Sequence, residues 1–292
     1  GKHLKVFLGG NMRYLQNEVN LHTHSFYCRH GEGEISEYVK KAEEKGLLKV
    51  LGFSEHAPLP DRILYYGTRM DYSDLDRYDG DVRRADEESR IKILLGAECD
   101  WIKDEKGFYK DELLGERGYS YLLGSVHSMV SPETGLDTYI SRIGVSFRSI
   151  LPGYVKLYTE MLSSGLFLYG CHPDLYMSDY RLWDNNAKAA AKDIADCALD
   201  CDIPLEMNDC GIRKGIIDTE QGKRYRYTNK EFWLMMKDMG VKIVTGSDAH
   251  MPEDVQGYET DGFSSATMKM AFDLGIEFME WEVDGDKVSI VK

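Results

Sequence analysis

The sequence predicts an α/β protein built on parallel strands, either a closed α/β barrel or a doubly wound sheet. Seven apolar runs are too short for helices and too continuously apolar for strands with one solvated face, which indicates a parallel sheet. Helical patterns separate many of these runs, as strand–helix alternation requires. Metal-ligand side chains follow the runs, where such folds place their active sites. The runs are 17–21, 49–53, 91–97, 119–125, 166–170, 203–207 and 241–246.

Apolar residues at helical spacing predict helices between the strands. The first such pattern stops before Gly46, a residue type that commonly ends helices. The Thr228–Glu231 stretch reads Thr-Asn-Lys-Glu and has the form of a capping box, so a helix is expected to open there. The predicted helical segments are 35–42, 75–85, 187–199, 228–240 and 268–274.

The two ends of the chain are predicted to lie outside the strand–helix repeat. Residues 276–292 alternate apolar and polar side chains about Asp284-Gly285, which predicts a C-terminal hairpin. Residues 1–14 are interpreted as a terminal extension. Because no Pro/Ser-rich linker or fixed-period repeat interrupts the chain, residues 1–292 are predicted to form a single domain.

Charge and composition exclude several classes of partner. The net charge is −14, which argues against nucleic acid, whose binding rests on Lys and Arg contacts to phosphates. No apolar run reaches the roughly 18 residues of a membrane span, so no membrane partner is expected. The six cysteines form no Cys-x-x-Cys pair. Reduced, packed thiols in a cytoplasmic protein are the expectation.

Seven of the eight histidines, all except His3, lie just beyond predicted strands, together with two carboxylates. A catalytic zinc needs about three protein ligands and a water, so nine candidates fit two or three metal ions. Imidazole and carboxylate without thiolate favour Zn, Fe or Mn. The nine are His22, His24, His30, His56, Glu98, His127, His172, Asp248 and His250. Glu55 and Asp174 are either partners of imidazole rings or loop charges.

The motifs together resemble the polymerase and histidinol phosphatase (PHP) family, and within it the stand-alone histidinol-phosphate phosphatases. The resemblance runs from about residue 17 to residue 257. It rests on His-x-His at 22–24, Ser-Glu-His-Ala-Pro at 54–58, Gly-Ala-Glu at 96–98, Gly-Ser-Val-His at 124–127, Cys-His-Pro-Asp at 171–174 and Gly-Ser-Asp-Ala-His at 246–250.

The resemblance implies a distorted (β/α)7 TIM-like barrel with three metal ions at the C-terminal ends of the strands. The first ion would be held by His22, His24, Glu98 and Asp248. Glu98 would bridge to a second ion, which His127 and His172 complete. The third ion would be held by His30, His56 and His250.

The resemblance also implies hydrolysis of a small phosphorylated substrate, L-histidinol phosphate, in histidine biosynthesis. A hydroxide held between the metals would attack phosphorus, with Asp248, Glu98 and His250 as the catalytic residues. Asp248, or a water that it holds, is the candidate proton donor to the leaving alkoxide, and a histidine is the alternative. By the same resemblance Arg213 would bind the phosphate, and Arg181 is the candidate second arginine.

One departure from the family leaves the substrate open. Histidinol phosphatases usually follow this arginine with a short segment ending in Tyr-Pro, whereas here a longer basic loop leads to Tyr225–Asn229. Contacts to the rest of the substrate are expected from residues 131–149 and 211–227. The alternatives are a PHP-type phosphoesterase for another ester or diester, an amidohydrolase-type barrel, and a metal-binding protein without catalysis.

Overall fold

The structure, a computed structural model, describes residues 10–60, 67–130, 137–140 and 151–292. A curled parallel sheet forms its centre, with α-helices packed outside. The strands are β1 Met12–Tyr14, β2 Val19–Asn20, β3 Val50–His56, β4 Lys92–Asp100, β5 Tyr121–Ser125, β6 Ser128–Val130, β7 Asp137–Tyr139, β8 Leu205–Asn208, β9 Ile216–Thr219, β10 Gly222–Tyr225, β11 Ile243–Gly246, β12 Glu280–Asp284 and β13 Lys287–Val291.

The parallel strands follow the chain order of a barrel. One sheet has the order β2-β3-β4-β5, and β8 pairs with β11. Gly170 bridges these two groups, because it pairs with Gly124 of β5 on one side and with Leu205 of β8 on the other. A further parallel bridge, between Thr23 and Ala249, brings the chain after β11 beside the chain after β2. The predicted α/β barrel class is therefore confirmed.

Three of the predicted strands differ from the observed ones. The run 166–170 contributes only the bridges at Gly170, because its neighbour Pro204 has no N–H to extend the ladder. In contrast, β3 and β4 run further than the apolar pattern, to His56 and Asp100. Polar residues end the apolar signal before the backbone pairing ends. His56 and Glu98 consequently lie inside strands, directly opposite each other in the register.

Helices fill the predicted intervals, with three additions. The π-helix Phe108–Glu116 and the helices α3 and α5 were not predicted from the sequence. The α-helices are α1 Ile35–Lys45, α2 Leu75–Glu88, α3 Leu151–Leu162, α4 Asn185–Asp200, α5 Asp209–Arg213, α6 Lys230–Met239 and α7 Ala266–Leu274.

The start of α6 is one residue later than the predicted capping box. Asn229 is the N-cap, and its side chain accepts a hydrogen bond from the N–H of Phe232. Thr228 instead has a positive φ of 60° and donates its hydroxyl hydrogen to the carbonyl of Asn208. It therefore ties the entry of α6 to the end of β8.

A three-stranded antiparallel sheet closes the N-terminal end of the barrel. The predicted hairpin forms β12 and β13, and β1 pairs with β12. The interpretation of residues 1–14 as an extension is thus wrong for residues 12–14. Trp281 of β12 is fully buried, and its ring lies 6.1 Å from the ring of Tyr169. Lys92 joins the sheet to the barrel by contacting Asp286 at 2.6 Å.

Within the described ranges, no helix is long and apolar enough to cross a membrane. All six cysteines are free thiols; Cys201 is exposed and Cys197 half-buried, so this pair is not part of the core. Most of the segment 131–149 lies outside the described residues.

Candidate metal centre and cleft

The C-terminal ends of the strands gather all nine predicted ligand residues. The Thr23–Ala249 bridge sets two His/Asp pairs side by side, because residues on either side of each bridged residue point the same way. His22 and His24 come from one side, and Asp248 and His250 come from the other. The four ligand atoms of His22, His24, Glu98 and Asp248 lie within 4.8 Å of one another.

Glu98 is the common centre of the cluster. Its Oε2 lies 3.2 Å from His22 Nε2 and 3.1 Å from His24 Nε2. Its Oε1 lies 3.1 Å from His172 Nε2 and 3.4 Å from His127 Nε2. His56 Nδ1 lies 3.2 Å from the same Oε2. Imidazoles therefore surround both oxygens of the carboxylate, so each oxygen is placed to contact a cation.

A third group of imidazoles lies beside these two sets. Ligand atoms of His30, His56 and His250 are within 4.8 Å of one another. The ring of His24 stacks on both His56 and His250, with centroids 4.1 and 4.5 Å apart. His30 is the most exposed member and stands at the open side of the cluster.

Carbonyl and carboxylate partners orient the histidine rings. His30 Nδ1 lies 2.9 Å from the carbonyl of Cys28, and His250 Nδ1 lies 3.0 Å from that of Asp248. Because a carbonyl only accepts, each Nδ1 must donate, which leaves the Nε2 lone pair of a neutral ring free for a cation. His22 Nδ1 is held in the same way by Glu206 Oε1 at 2.6 Å.

Two further carboxylates, those of Glu55 and Asp100, contact the Nδ1 atoms of histidine rings in the cluster. Glu55 lies 3.3 Å from His24 Nδ1 and also accepts from the backbone N–H of Ser25, so it orients a ring. Asp100 Oδ1 lies 2.8 Å from His127 Nδ1. Burial alone would raise the pKa of Asp100, but the charge of Arg69 beside it lowers that pKa to about 2. Asp174 instead accepts from the N–H of Asn229 at the start of α6.

The donor set fits divalent cations. Buried polar atoms without partners are costly in folded proteins. Among the described residues, the buried nitrogens His172 Nδ1 and His250 Nε2 have no hydrogen-bond partner. His24 Nε2 and His56 Nδ1 lie 3.1 and 3.2 Å from Glu98 Oε2 but without hydrogen-bond geometry. Nitrogen and carboxylate donors without thiolate suit Zn, Fe or Mn.

Charge in the cluster is arranged around ionised carboxylates. Burial opposes the charge on Glu98, but the imidazoles around it, first His56, hold the pKa of its carboxyl well below the usual range. Asp248 shows the same balance, with His22 as the main stabilising charge and a pKa well below normal. Burial lowers the pKa of His56 and of His250. Burial also opposes charge on His22 and His24, but the carboxylates around them, first Glu206 for His22 and Asp248 for His24, outweigh it and raise the pKa of both rings. A cation that binds these two rings would therefore replace protons.

Backbone strain marks two of the candidate ligands. Asp248 and His172 have φ values of 50° and 27°, a backbone region that residues other than glycine rarely adopt. At Gly246, two residues before Asp248, a Cβ would overlap Glu206 and His22. Only glycine therefore lets β11 approach the cluster this closely.

Arg213 holds the strained backbone at Asp248. Its guanidinium donates to the carbonyl of Asp248 at 2.9 Å and to that of Ser247 at 3.1 Å. It also bonds Asp209 at 2.9 Å and lies 3.2 Å from Asp254. A guanidinium has five N–H donors, so about one remains for a substrate oxygen.

A cleft of about 970 Å³ opens above the cluster. Its walls include Arg69, Arg213 and Tyr227, as well as His30 and Asp248. The predicted basic segment 211–227 contributes to this wall, as expected from the sequence.

The structure does not support Arg181 as a phosphate ligand. Its side chain is exposed and donates to the carbonyl of Asp218 in β9, and Arg181 is not among the residues that line the cleft. The basic residues that line the cleft besides Arg213 are Arg69, which pairs with Asp100, and Lys214 and Arg226. The chain after residue 172 turns through a short 3-10 helix, Leu175–Ser178, and Arg181 follows it on the outer surface.

Sequence reasoning missed three residues that contact the cluster or its ligands. Glu206 holds His22 and also accepts from the N–H of His172. Arg69 and Asp100 form an ion pair at 2.6 Å next to His127. Glu206 could have been found, because it ends a predicted strand as Glu98 does. Arg69 lies in no recognisable pattern and gave no such signal.

Comparisons with known proteins agree with this architecture. The model of the PHP domain family matches residues 20–210. A Bacillus subtilis protein named histidinol-phosphatase is 25% identical over 83% of this chain and 96% of its own length. A Deinococcus radiodurans protein named "Probable histidinol-phosphatase" is 27% identical over 80% of this chain and 86% of its own.

A solved structure shares the fold. Histidinol phosphate phosphatase from Lactococcus lactis, complexed with zinc, L-histidinol and phosphate, superposes with a TM-score of 0.65 at 16% identity. The match covers 94% of this chain and 99% of that one. Because the family model spans well over half of the sequence and the barrel carries the expected cluster, the chain belongs to the PHP domain family.

Proposed function

We propose that this protein is a metal-dependent phosphomonoesterase that hydrolyses L-histidinol phosphate to L-histidinol and phosphate. The observation that carries the proposal is the convergence of seven imidazoles and two carboxylates on one buried cluster at the floor of the cleft. The names of the Bacillus and Deinococcus relatives, and the ligands of the Lactococcus structure, support this substrate.

Three divalent ions, Zn, Fe or Mn, are proposed for the cluster. One set of ligands is His22, His24, Glu98 and Asp248, a second is Glu98, His127 and His172, and a third is His30, His56 and His250. When bound, such ions acidify water and offset negative charge on phosphoryl oxygens. Glu98 joins the first two sets, so its substitution would disturb both.

The remaining chemistry is assigned to residues of the chain. Arg213 lines the cleft, and we assign its remaining N–H to one phosphoryl oxygen, whose negative charge it offsets. Asp248 is ionised, so it cannot begin as a proton donor. We assign it the role of taking the proton of the attacking water and passing it to the leaving alkoxide of histidinol. His250 is neutral and acts as a ligand.

The test is phosphate release from L-histidinol phosphate by metal-loaded protein, beside other monoesters and one diester. Glycerol 3-phosphate, glucose 6-phosphate and bis-p-nitrophenyl phosphate serve as comparisons. We expect kcat/KM for histidinol phosphate to exceed that of every other compound by about a hundredfold, roughly 2.7 kcal/mol in transition-state binding. If only another ester is hydrolysed, L-histidinol phosphate is the wrong substrate, but metal-dependent ester hydrolysis is retained. If no compound is hydrolysed, the protein is better described as a metal-binding protein without catalysis.

A further inference from the structure

Two cations in the cleft have no carboxylate partner at ion-pair distance among the described residues. Lys214 and Arg226 both line the cleft, on either side of the β9–β10 hairpin. Within the described part of the chain, neither side chain lies within 4.0 Å of a carboxylate oxygen. Asp179 is close enough for Arg226 to influence its pKa, but it lies beyond ion-pair distance.

The other two arginines of the cleft are neutralised. Arg69 pairs with Asp100, and Arg213 pairs with Asp209 and Asp254. The contrast is notable in a protein of net charge −14, in which carboxylates are abundant. The two unpaired cations are therefore positioned to receive negative charge from a bound molecule.

Tyr227 lies between Lys214 and the metal centre. Lys214 Nζ lies 5.1 Å from the centroid of the Tyr227 ring. The same ring is 6.2 Å from the ring of His172, a candidate metal ligand, and it is buried. Arg226 directly precedes Tyr227 in the chain and lines the same cleft.

L-Histidinol phosphate does not supply a group for these cations. Its phosphate belongs at the metal cluster, and the rest of the molecule carries an ammonium and an imidazole. The cleft, at about 970 Å³, is at the upper end of the roughly 300–1,000 Å³ of small-molecule sites. It has room for a molecule longer than a single phosphate ester needs.

We propose that Lys214 and Arg226 form a second anion subsite, which binds the distal carboxylate or phosphate of esters whose other phosphate sits at the metal centre. The subsite gives the protein a second class of ligands and substrates, phosphate monoesters that carry another anionic group. The inference rests on the proposed function only in placing the first phosphate at the metals.

Non-hydrolysable phosphonates test the subsite without relying on turnover. Alkylphosphonates, ω-phosphonocarboxylates and alkylene bisphosphonates of two to five methylene groups differ only in a terminal methyl, carboxylate or phosphonate. Their affinities for metal-loaded protein are measured by calorimetry. We expect at least one chain length at which an anionic end improves Kd about tenfold over the methyl end. The two anionic series distinguish a carboxylate site from a phosphate site.

Variants of Lys214 and Arg226 distinguish a specific anion subsite from general electrostatic attraction of anionic ligands to the cleft. Lys214→Ala and Arg226→Ala should each remove most of the preference and leave the affinity for alkylphosphonates within about twofold. Lys223→Ala is the matched control, because Lys223 is exposed on β10 and does not line the cleft. A tenfold preference that persists in the double variant would overturn the proposal.

Two other outcomes are also decisive. Equal affinities for all three series in the wild type would overturn the subsite, whatever the enzyme hydrolyses. If the variants lose affinity equally for all three series, then Lys214 and Arg226 attract only the phosphonate group at the metal centre. That result would also overturn the subsite. Zinc content and histidinol phosphate hydrolysis, measured on the same preparations, show separately whether the proposed function fails.

Discussion

At the scale of single residues, the metal centre depends on side chains that contacts within the protein hold in position without a bound metal or substrate. Glu98 sits between five imidazoles, and Glu206 fixes His22 from the far side. Asp248 contributes a carboxylate from a strained backbone that Arg213 holds in place. These contacts direct lone pairs toward one small volume, which is the preorganisation that metal binding and catalysis require.

The first prediction concerns Asp248. Asp248→Asn should leave the protein folded and reduce kcat for histidinol phosphate by about a thousandfold or more. The amide keeps the shape of the side chain but can neither hold the negative charge nor accept the proton. Steady-state kinetics, with circular dichroism as the control for folding, measure the effect. Turnover close to wild type would remove Asp248 from the reaction.

The second prediction concerns Arg213. The sequence alone suggested a phosphate ligand whose loss would mainly raise KM. The structure gives Arg213 four other partners, so Arg213→Ala should also weaken zinc affinity by about 10–100-fold and lower kcat. Arg213→Lys should recover little of the lost zinc affinity or kcat, because an ammonium group cannot reproduce the several directed hydrogen bonds of the guanidinium. A rise in KM with unchanged zinc affinity would return Arg213 to a purely substrate-binding role.

Much of the centre was predictable because its residues follow strands. Nine side chains could be named since each stands near the end of an apolar run, and parallel strands end at one edge. Partners from distant segments could not be named. Arg69 and Asp100 are 31 residues apart and meet only in the folded chain, and no local pattern encodes that meeting. Arg181 was misplaced because the direction of the chain after His172 depends on a short turn.

At the scale of elements, the barrel depends on contacts between helix ends and neighbouring loops. Glu43 of α1 accepts hydrogen bonds from the N–H of Arg90, at 2.7 Å, and from the hydroxyl of Ser89, at 2.9 Å. These contacts fix the loop between α2 and β4. The extents of β3 and β4 were harder to predict, since His56 and Glu98 interrupt the apolar pattern while the backbone pairing continues.

A pH-dependent contribution to stability follows from Glu43. Burial opposes its charge, but hydrogen bonds from Arg90 and Ser89 outweigh this and lower its pKa below the usual 4.5. The unfolded chain therefore binds the proton more readily than the folded one. The contribution of Glu43 should be complete above its unfolded pKa and should disappear as pH falls through the lower folded value.

Urea unfolding of Glu43→Gln checks this contribution. At pH 7 the variant should be less stable than wild type by about 1–2 kcal/mol. The difference should shrink on acidification below pH 4.5. Glu44→Gln is the matched control, because Glu44 makes only exposed ion pairs with Lys40 and Lys41, and its effect should be small. An effect of Glu43→Gln that does not change with pH would refute the assignment.

At the scale of the whole molecule, the antiparallel sheet at the closed end lies opposite the cleft. Trp281 packs under the barrel beside Tyr169, and Lys92 connects β4 to the hairpin turn. The sequence predicted the hairpin but not its third strand, since Met12–Tyr14 meets β12 only in the folded chain. We propose that barrel and sheet form a single domain that unfolds as one unit.

Trp281→Ala tests that proposal. Loss of a fully buried indole should cost about 3–5 kcal/mol in urea unfolding, in a single transition. Met12→Ala, at an exposed position of the same sheet, should change stability by less than about 0.5 kcal/mol. The zinc content of folded Trp281→Ala should stay normal, because the sheet lies away from the cluster. Two separate transitions would contradict the single domain.

Metal dependence of the hydrolysis is best tested by a titration of metal-depleted protein with zinc, in which bound metal per chain and phosphate release from L-histidinol phosphate are measured together. We expect no release without metal, a rise in release as metal binds, and saturation at two to three ions per chain. Release that persists in the metal-depleted protein, or full metal loading without any release, would contradict this expectation.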